Sequence, residues 1–157
     1  MVSQTNLYIE RAEGKVLAAK TSFEISTNPE AKKILGLTSE RTFFNEVISE
    51  SYYAIFYAAK AYLSLKGIFT DAPEEHKKTY EEFLKLAKLG ILGRELFEIY
   101  KDAAVKAETL LDIFFSEKRK RGRFTYKVSS NANLPFAKES IENAKKFVSA
   151  IKSLTEK

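Results

Sequence analysis

The stretch Thr42–Lys66 reads TFFNEVISESYYAIFYAAKAYLSLK, and it decides the fold class. Apolar residues recur in it every three or four positions, at Phe43, Phe44, Val47, Ile48, Tyr52, Ile55, Phe56, Ala59 and Leu63. This spacing predicts one α-helix, because residues three or four apart lie on the same face of a helix. The helix would be roughly 36 Å long at the usual rise per residue, with Gly67 at its end. Its wide apolar surface predicts contacts on more than one side.

Five further helices are predicted around this central one. Asn28 is a candidate N-cap, Pro29 follows it at a first helical position, and Gly36 is placed to end that short helix. Glycine and proline are scarce elsewhere, and few segments alternate as a half-buried strand does. The predicted ranges are Asn6–Ser26, with Asn6 as its cap, Pro29–Leu35, Asp71–Leu89, Arg94–Arg119 and Pro135–Thr155.

The organisation of the chain favours a single domain over residues 1–157. No linker rich in Gly or Ser divides it, no repeat of fixed period is visible, and 45% apolar residues are enough to fill one core. The simplest architecture is an all-α, up-and-down helical bundle of five to six helices.

The composition argues against several classes of protein. There is no Cys and only one His, so disulfides are excluded, and neither a metal site nor a cofactor is expected. No run approaches ~18 uninterrupted apolar residues, so no membrane span is expected. The polar start, MVSQTNLYIERAEGK, has no apolar core typical of a signal peptide. We therefore expect a cytoplasmic protein.

A basic segment, EKRKRGRFTYK at Glu117–Lys127, carries the net charge of the chain. Its six cations and one anion sum to +5, which equals the formal charge of the whole protein. Such a local excess predicts binding of phosphate groups in a nucleotide or in RNA. The alternative is a solvated helix C-terminus, where cations complement the helix dipole. The candidate phosphate ligands are Lys118, Arg119, Arg121 and Arg123.

Aromatic residues accompany these cations. Phe124 and Tyr126 interleave with them in a pattern that suits base stacking in single-stranded nucleic acid, although Phe124 alternatively packs against the bundle. The central helix also carries tyrosines that can bury their rings and keep their hydroxyls in water. Tyr53 and Tyr57 are candidates to line a nucleotide cleft near the basic segment, with plain core packing as the alternative.

His76 is the only side chain whose ordinary pKa lies near neutrality, which makes it the one ready-made general base. The alternative is a polar residue in the first turn of a helix, among Glu74, Glu75 and Lys77. No nucleophile elbow, phosphate loop or dinucleotide glycine pattern is present.

Several of these features together resemble a HEPN domain, and more narrowly the small, stand-alone archaeal and bacterial HEPN proteins. The similarity extends from about Leu7 to Ile151. It is carried by SYYAIFYAAKAYLSLKG at 51–67, His76, RGRFTY at 121–126 and AKKF at 144–147. The resemblance implies a bundle of about five helices that commonly dimerises. It further implies either nucleotide binding or a metal-independent RNase, often the toxin of a toxin–antitoxin pair encoded beside a small nucleotidyltransferase.

Within that resemblance, Arg121 matches the motif arginine that stabilises the phosphate. The motif histidine would fall on position 126, where this chain has Tyr126. A phenol with a pKa near 10 is a poor base at neutral pH. If the protein is an enzyme, its candidate catalytic residues are therefore Arg121, Tyr126 and His76.

Three functions follow as expectations. The first is a HEPN protein that binds a nucleotide or single-stranded RNA through the basic segment. The second is a metal-independent endoribonuclease. The third is a protein-binding module paired with a nucleotidyltransferase, which attaches AMP to Tyr126. A homodimer is expected in each case, because the central helix offers more apolar surface than one bundle needs.

Overall fold

The computed structural model describes residues 3–111 and 133–156, together with the side chains of all of these except 109–111. These residues form helices and no strand, which confirms the predicted all-α helical bundle. The helices are α1 (Gln4–Thr27), α2 (Pro29–Ile34), α3 (Phe44–Leu65), α4 (Glu75–Lys88), α5 (Arg94–Leu111) and α6 (Leu134–Thr155).

The central helix α3 is packed against α1, α4, α5 and α6. Fourteen of its 22 residues are buried, so the predicted contact on more than one side is confirmed. Alanines make this enclosure possible, because a methyl side chain lets neighbouring backbones approach closely. The fully buried alanines of α3 are Ala54, Ala58, Ala59 and Ala61.

Contacts at the two ends of the bundle show the helix directions. Thr5 and Ser64 are hydrogen-bonded through their hydroxyls at 2.8 Å, so the start of α1 lies beside the end of α3. Asn133, just before α6, donates a hydrogen bond from its side-chain amide to the amide oxygen of Asn45 near the start of α3. Helix α6 therefore runs parallel to α3 and antiparallel to α1, and it packs against both.

The capping residues of α2 behave as the sequence predicts. The side-chain oxygen of Asn28 accepts hydrogen bonds from the backbone N–H groups of Glu30 and Ala31, at 2.9 and 3.2 Å. Gly36 follows α2 with φ +71°, a conformation that suits glycine because it has no Cβ. The start of α1 differs from the prediction: Ser3, rather than Asn6, is the N-cap, and it accepts a hydrogen bond from the backbone N–H of Asn6 at 3.1 Å.

Helix α4 begins four residues later than predicted, at Glu75 instead of Asp71. Pro73 disfavours helical geometry in the residue before it, and Glu74 adopts the left-handed region with φ +57°. The hydroxyls of Thr70 and Thr79 lie 2.6 Å apart in the interior and join this connection to the helix. The predicted end of α5 at Arg119 lies outside the described residues.

The prediction of a homodimer began from surplus apolar surface on α3. In the structure, four helices of the same chain cover that surface. The homodimer thus stays a prediction that has lost this support. Over residues 3–111 and 133–156, no helix combines the length and the apolar character that crossing a membrane requires.

Candidate functional site

The predicted site residues fall into two groups. The basic segment Glu117–Lys127 lies outside the described residues, so Lys118, Arg119, Arg121, Arg123 and Tyr126 stay predictions, as does the role of Phe124. His76, Tyr53 and Tyr57 are described, and they lie on neighbouring elements. The contact between α3 and α4 brings His76 to Tyr53, whose ring centroid is 5.8 Å from that of the imidazole.

His76 is held against α3 by its ring and by one nitrogen. Its Nδ1 lies 2.9 Å from the hydroxyl of Tyr52. Its imidazole stacks on Phe56 with 4.1 Å between ring centroids and 20° between ring planes. These contacts fix the orientation of the half-buried imidazole. His76 lies in the first turn of α4, as the alternative interpretation has it, and its ring packs against α3.

The surroundings of His76 favour its neutral form. Burial lowers the pKa of His76 from its ordinary value, and the cation of Lys60 acts in the same direction, while Glu75 partly opposes them. Its partner also stays uncharged, because burial raises the pKa of the Tyr52 phenol well above 10. Tyr100 and Tyr53 raise it further. At neutral pH this is a hydrogen bond between two neutral groups.

Lys60 lies beside this pair and is 4% exposed. Its ammonium forms an ion pair and a hydrogen bond with Glu75, the residue before His76. The cation also lies 4.9 Å from the ring centroid of Tyr8 on α1. Burial opposes the charged form, but the hydrogen bonds to Glu75 and Tyr8 outweigh it, so the pKa of Lys60 is raised. One buried cation thus joins α1, α3 and α4 next to the histidine.

Tyr53 and Tyr57 are four residues apart on α3 and half-buried. Two cations of α1, also four residues apart, lie beside them. The guanidinium carbon of Arg11 is 5.7 Å from the ring centroid of Tyr57, and the ammonium of Lys15 is 5.4 Å from that of Tyr53. We call Arg11, Lys15, Tyr53, Tyr57 and His76 the aromatic–cationic face.

The two cations of this face differ in their partners. Lys15 forms an ion pair with Glu50 at 3.0 Å. Arg11 is exposed, and within the described part of the chain no carboxylate pairs with it. The ring of Tyr57 stacks on that of Tyr8 of α1, with ring centroids 6.4 Å apart, and both tyrosines of the face keep part of their surface exposed. Arg11 can donate hydrogen bonds to a phosphate. The face thus combines aromatic rings, which can contact a base, with a guanidinium group, which can bind a phosphate.

Two important residues of this region escaped the sequence analysis as site residues. The helical spacing predicts Tyr52 only as part of the apolar face of the central helix, and no predicted site includes Lys60. A signal for Lys60 exists, since it is the one charged residue between Ala54 and Leu65 in a run of apolar and aromatic residues. A lysine in such a run is buried only with a partner. No comparable signal identifies Glu75 as that partner.

Comparison with protein-family models and with curated proteins found no match for this chain. The HEPN resemblance therefore stays a prediction based on its motif residues. Within residues 3–111 and 133–156, no three or more His, Asp or Glu side chains come together as metal ligands would.

Proposed function

We propose that the protein binds a nucleotide or single-stranded RNA, with bases stacked on the aromatic–cationic face and phosphates held by Arg11 and by the basic segment at Glu117–Lys127. The observation that carries this is the pairing of half-buried Tyr53 and Tyr57 with Lys15 and Arg11. Aromatic faces beside cations accept any base, because every base has a π-face. Core packing accounts for the partial burial of these rings, and the two cations add positive charge beside them.

The test measures binding of AMP and of an eight-nucleotide oligouridine, by chemical-shift perturbation and by titration calorimetry. Replacing Tyr57 by Leu keeps most of the buried apolar volume and removes the stacking surface. We expect a loss of about 1–3 kcal/mol in RNA affinity. Equal affinity of this variant and the parent for both ligands contradicts the proposal, as does the absence of any binding by the parent.

Charge offers a second test with a matched control. Arg11→Gln removes one phosphate contact, so the slope of log affinity against log salt concentration should fall by about 0.7 for a single strand. Arg94→Gln removes the same charge from an arginine that is 92% exposed at the start of α5, a helix that contributes no residue to the face. That control should leave the slope of RNA binding almost unchanged.

A metal-independent endoribonuclease is the second candidate, favoured by the neutral, oriented His76. For His76 to act as a base, Nδ1–H must donate to the Tyr52 oxygen, which leaves the lone pair on Nε2. Nε2 would accept the proton of an RNA 2′-hydroxyl, and the 2′-oxygen would attack phosphorus. The 5′-oxygen would leave with a proton from water, giving a 2′,3′-cyclic phosphate.

RNA incubated with the protein in EDTA tests this second candidate. Cleavage with a cyclic phosphate end, lost in His76→Gln but not in the control Arg94→Gln, supports it. Intact RNA after prolonged incubation with purified protein rejects it and leaves the binding function untouched.

A further inference from the structure

A groove runs along the surface between α1 and α6, on residues that the aromatic–cationic face does not use. It consists of two adjoining cavities of about 370 Å³ and 210 Å³. Lys20 of α1 and Lys145 of α6 line both cavities and so join them into one groove. The groove forms where α6 packs against α1 in the antiparallel direction.

The floor of the groove is apolar. It is made by Val16, Leu17 and Phe23 of α1 and by Ile141 and Val148 of α6. Leu17 is 63% exposed at its edge. The ring of Phe23 packs against that of Phe44, with ring centroids 5.9 Å apart, and the other four floor residues are aliphatic. This surface suits apolar side chains better than bases.

The rims of the groove carry lysines from both helices. Lys152 is paired with Glu13 at 3.1 Å, and Lys145 is near Glu142 at 3.4 Å. Lys20 on one rim and Lys138 on the other have no carboxylate partner among the residues that the structure describes. Glu24 also lines the groove, and its carboxylate accepts a hydrogen bond from the side-chain amide of Asn28 at 3.0 Å. The groove thus has a largely aliphatic floor, rims with four lysines and three glutamates, and, over the described residues, a cation without a carboxylate partner on either side.

The charges of the rims favour one kind of occupant. An amphipathic helix with an apolar stripe and carboxylates on both flanks would fill the floor and pair with Lys20 and Lys138. A second copy of this chain would bring the same unpaired lysines, so it does not supply the missing anions. From Lys138 to Lys152 the groove extends about 21 Å along α6, which matches an occupant of about 14 residues.

We propose that this groove is the docking site of an acidic amphipathic helix of a partner protein. Its apolar residues would lie on Leu17 and Val148, and its Asp or Glu side chains would face Lys20 and Lys138. The apolar contact would supply most of the affinity. The charges would select the partner and its orientation.

The test uses two synthetic helical peptides with the same leucine stripe, one flanked by Glu and the other by Lys. We expect the Glu peptide to bind, with chemical-shift changes along the groove, and to bind less tightly as salt rises. Reversing both exposed lysines, in Lys20→Glu with Lys138→Glu, should weaken that peptide roughly tenfold and allow the Lys peptide to bind. Arg11→Gln should change the affinity for neither peptide, which distinguishes the groove from the aromatic–cationic face.

Four results of the peptide experiments overturn the proposal: no binding of the Glu peptide, equal binding of both peptides by the parent protein, unchanged affinity in the double variant, or displacement of the peptide by oligouridine. A dimer in sedimentation that Leu17→Glu dissociates would instead assign the groove to a second copy, and it would also overturn the proposal. Helical circular dichroism of each variant checks that the bundle is intact. Because Lys20 and Lys138 are exposed, we expect their replacement to leave the fold unchanged.

Discussion

The hydroxyl of Tyr52 lies 2.9 Å from Nδ1 of His76, and this hydrogen bond joins the interior of α3 to the surface of α4. Tyr52 is almost fully buried, whereas His76 is half-buried. The only histidine of the chain is therefore held by a group that cannot move without disturbing the core. Any ligand that approaches His76 meets an imidazole whose orientation is already set.

The lowered pKa of His76 makes stability depend on pH. In the unfolded chain the imidazole binds its proton more readily, so protons favour unfolding between the folded pKa and the ordinary value of 6.5. The stabilisation is fully present above pH 6.5, and it is lost as the pH falls through the folded pKa. Urea unfolding of the parent and of His76→Gln between pH 7.5 and 5 measures it, because only the parent has this contribution. A His76 pKa at or above 6.5, measured by NMR, contradicts the prediction.

Removing the partner of Lys60 should be costly. In Glu75→Gln the buried ammonium loses its anion, and we expect the free energy of unfolding to fall by about 1–3 kcal/mol. Lys85 and Glu82, 2.8 Å apart on the exposed side of α4, provide the matched control. Glu82→Gln should change stability by less than about 1 kcal/mol. Equal effects of the two substitutions in urea unfolding would show that burial of Lys60 does not matter.

Two substitutions in α1 should act in opposite directions. Gly14 is exposed, and a Cβ placed there meets no atom within 4 Å, so Gly14→Ala should stabilise the protein by about 0.5–1 kcal/mol. Ala12 is fully buried, so Ala12→Leu should destabilise it by about 1–3 kcal/mol. Thermal unfolding measures both. A stabilising Ala12→Leu would mean that α1 packs less closely than the structure shows.

The left-handed conformation of Glu74 should be visible in its substitutions. Glycine adopts φ +57° without strain, so we expect Glu74→Gly to be no less stable than the parent. Glu74→Val places a β-branched residue in the same conformation and should cost about 1–2 kcal/mol. Denaturant unfolding of both variants checks the order, and a Val variant as stable as the Gly variant would contradict it.

Local rules explain what the sequence predicts well. Asn28 and Gly36 act on their own backbone neighbours, and the spacing from Phe43 to Leu63 needs only the helical repeat. The start of α4 was wrong by four residues because Pro73 and the left-handed Glu74 interrupt an otherwise helical pattern. Pro73 is a local signal against a helix start at Asp71, whereas the left-handed conformation of a glutamate at position 74 has no such signal in the sequence.

The candidate site was predicted only in part, for a different reason. Tyr53, Tyr57 and His76 were chosen by residue type, and the structure brings Tyr53 and His76 within ring contact. Tyr52 pairs with His76, 24 residues away in the sequence, and Glu75 pairs with Lys60, 15 residues away. Both pairs join α3 to α4. A helical period shows which face a residue occupies on its own helix, but it does not show which residue of another helix lies opposite.

The enclosure of α3 by four helices also has a consequence for amide hydrogen exchange. The peptide N–H groups around Ala58 and Ala59 are shielded on every side, so local fraying does not expose them to solvent. Their deuterium uptake should require the whole bundle to open, and its rate would report the global free energy of unfolding.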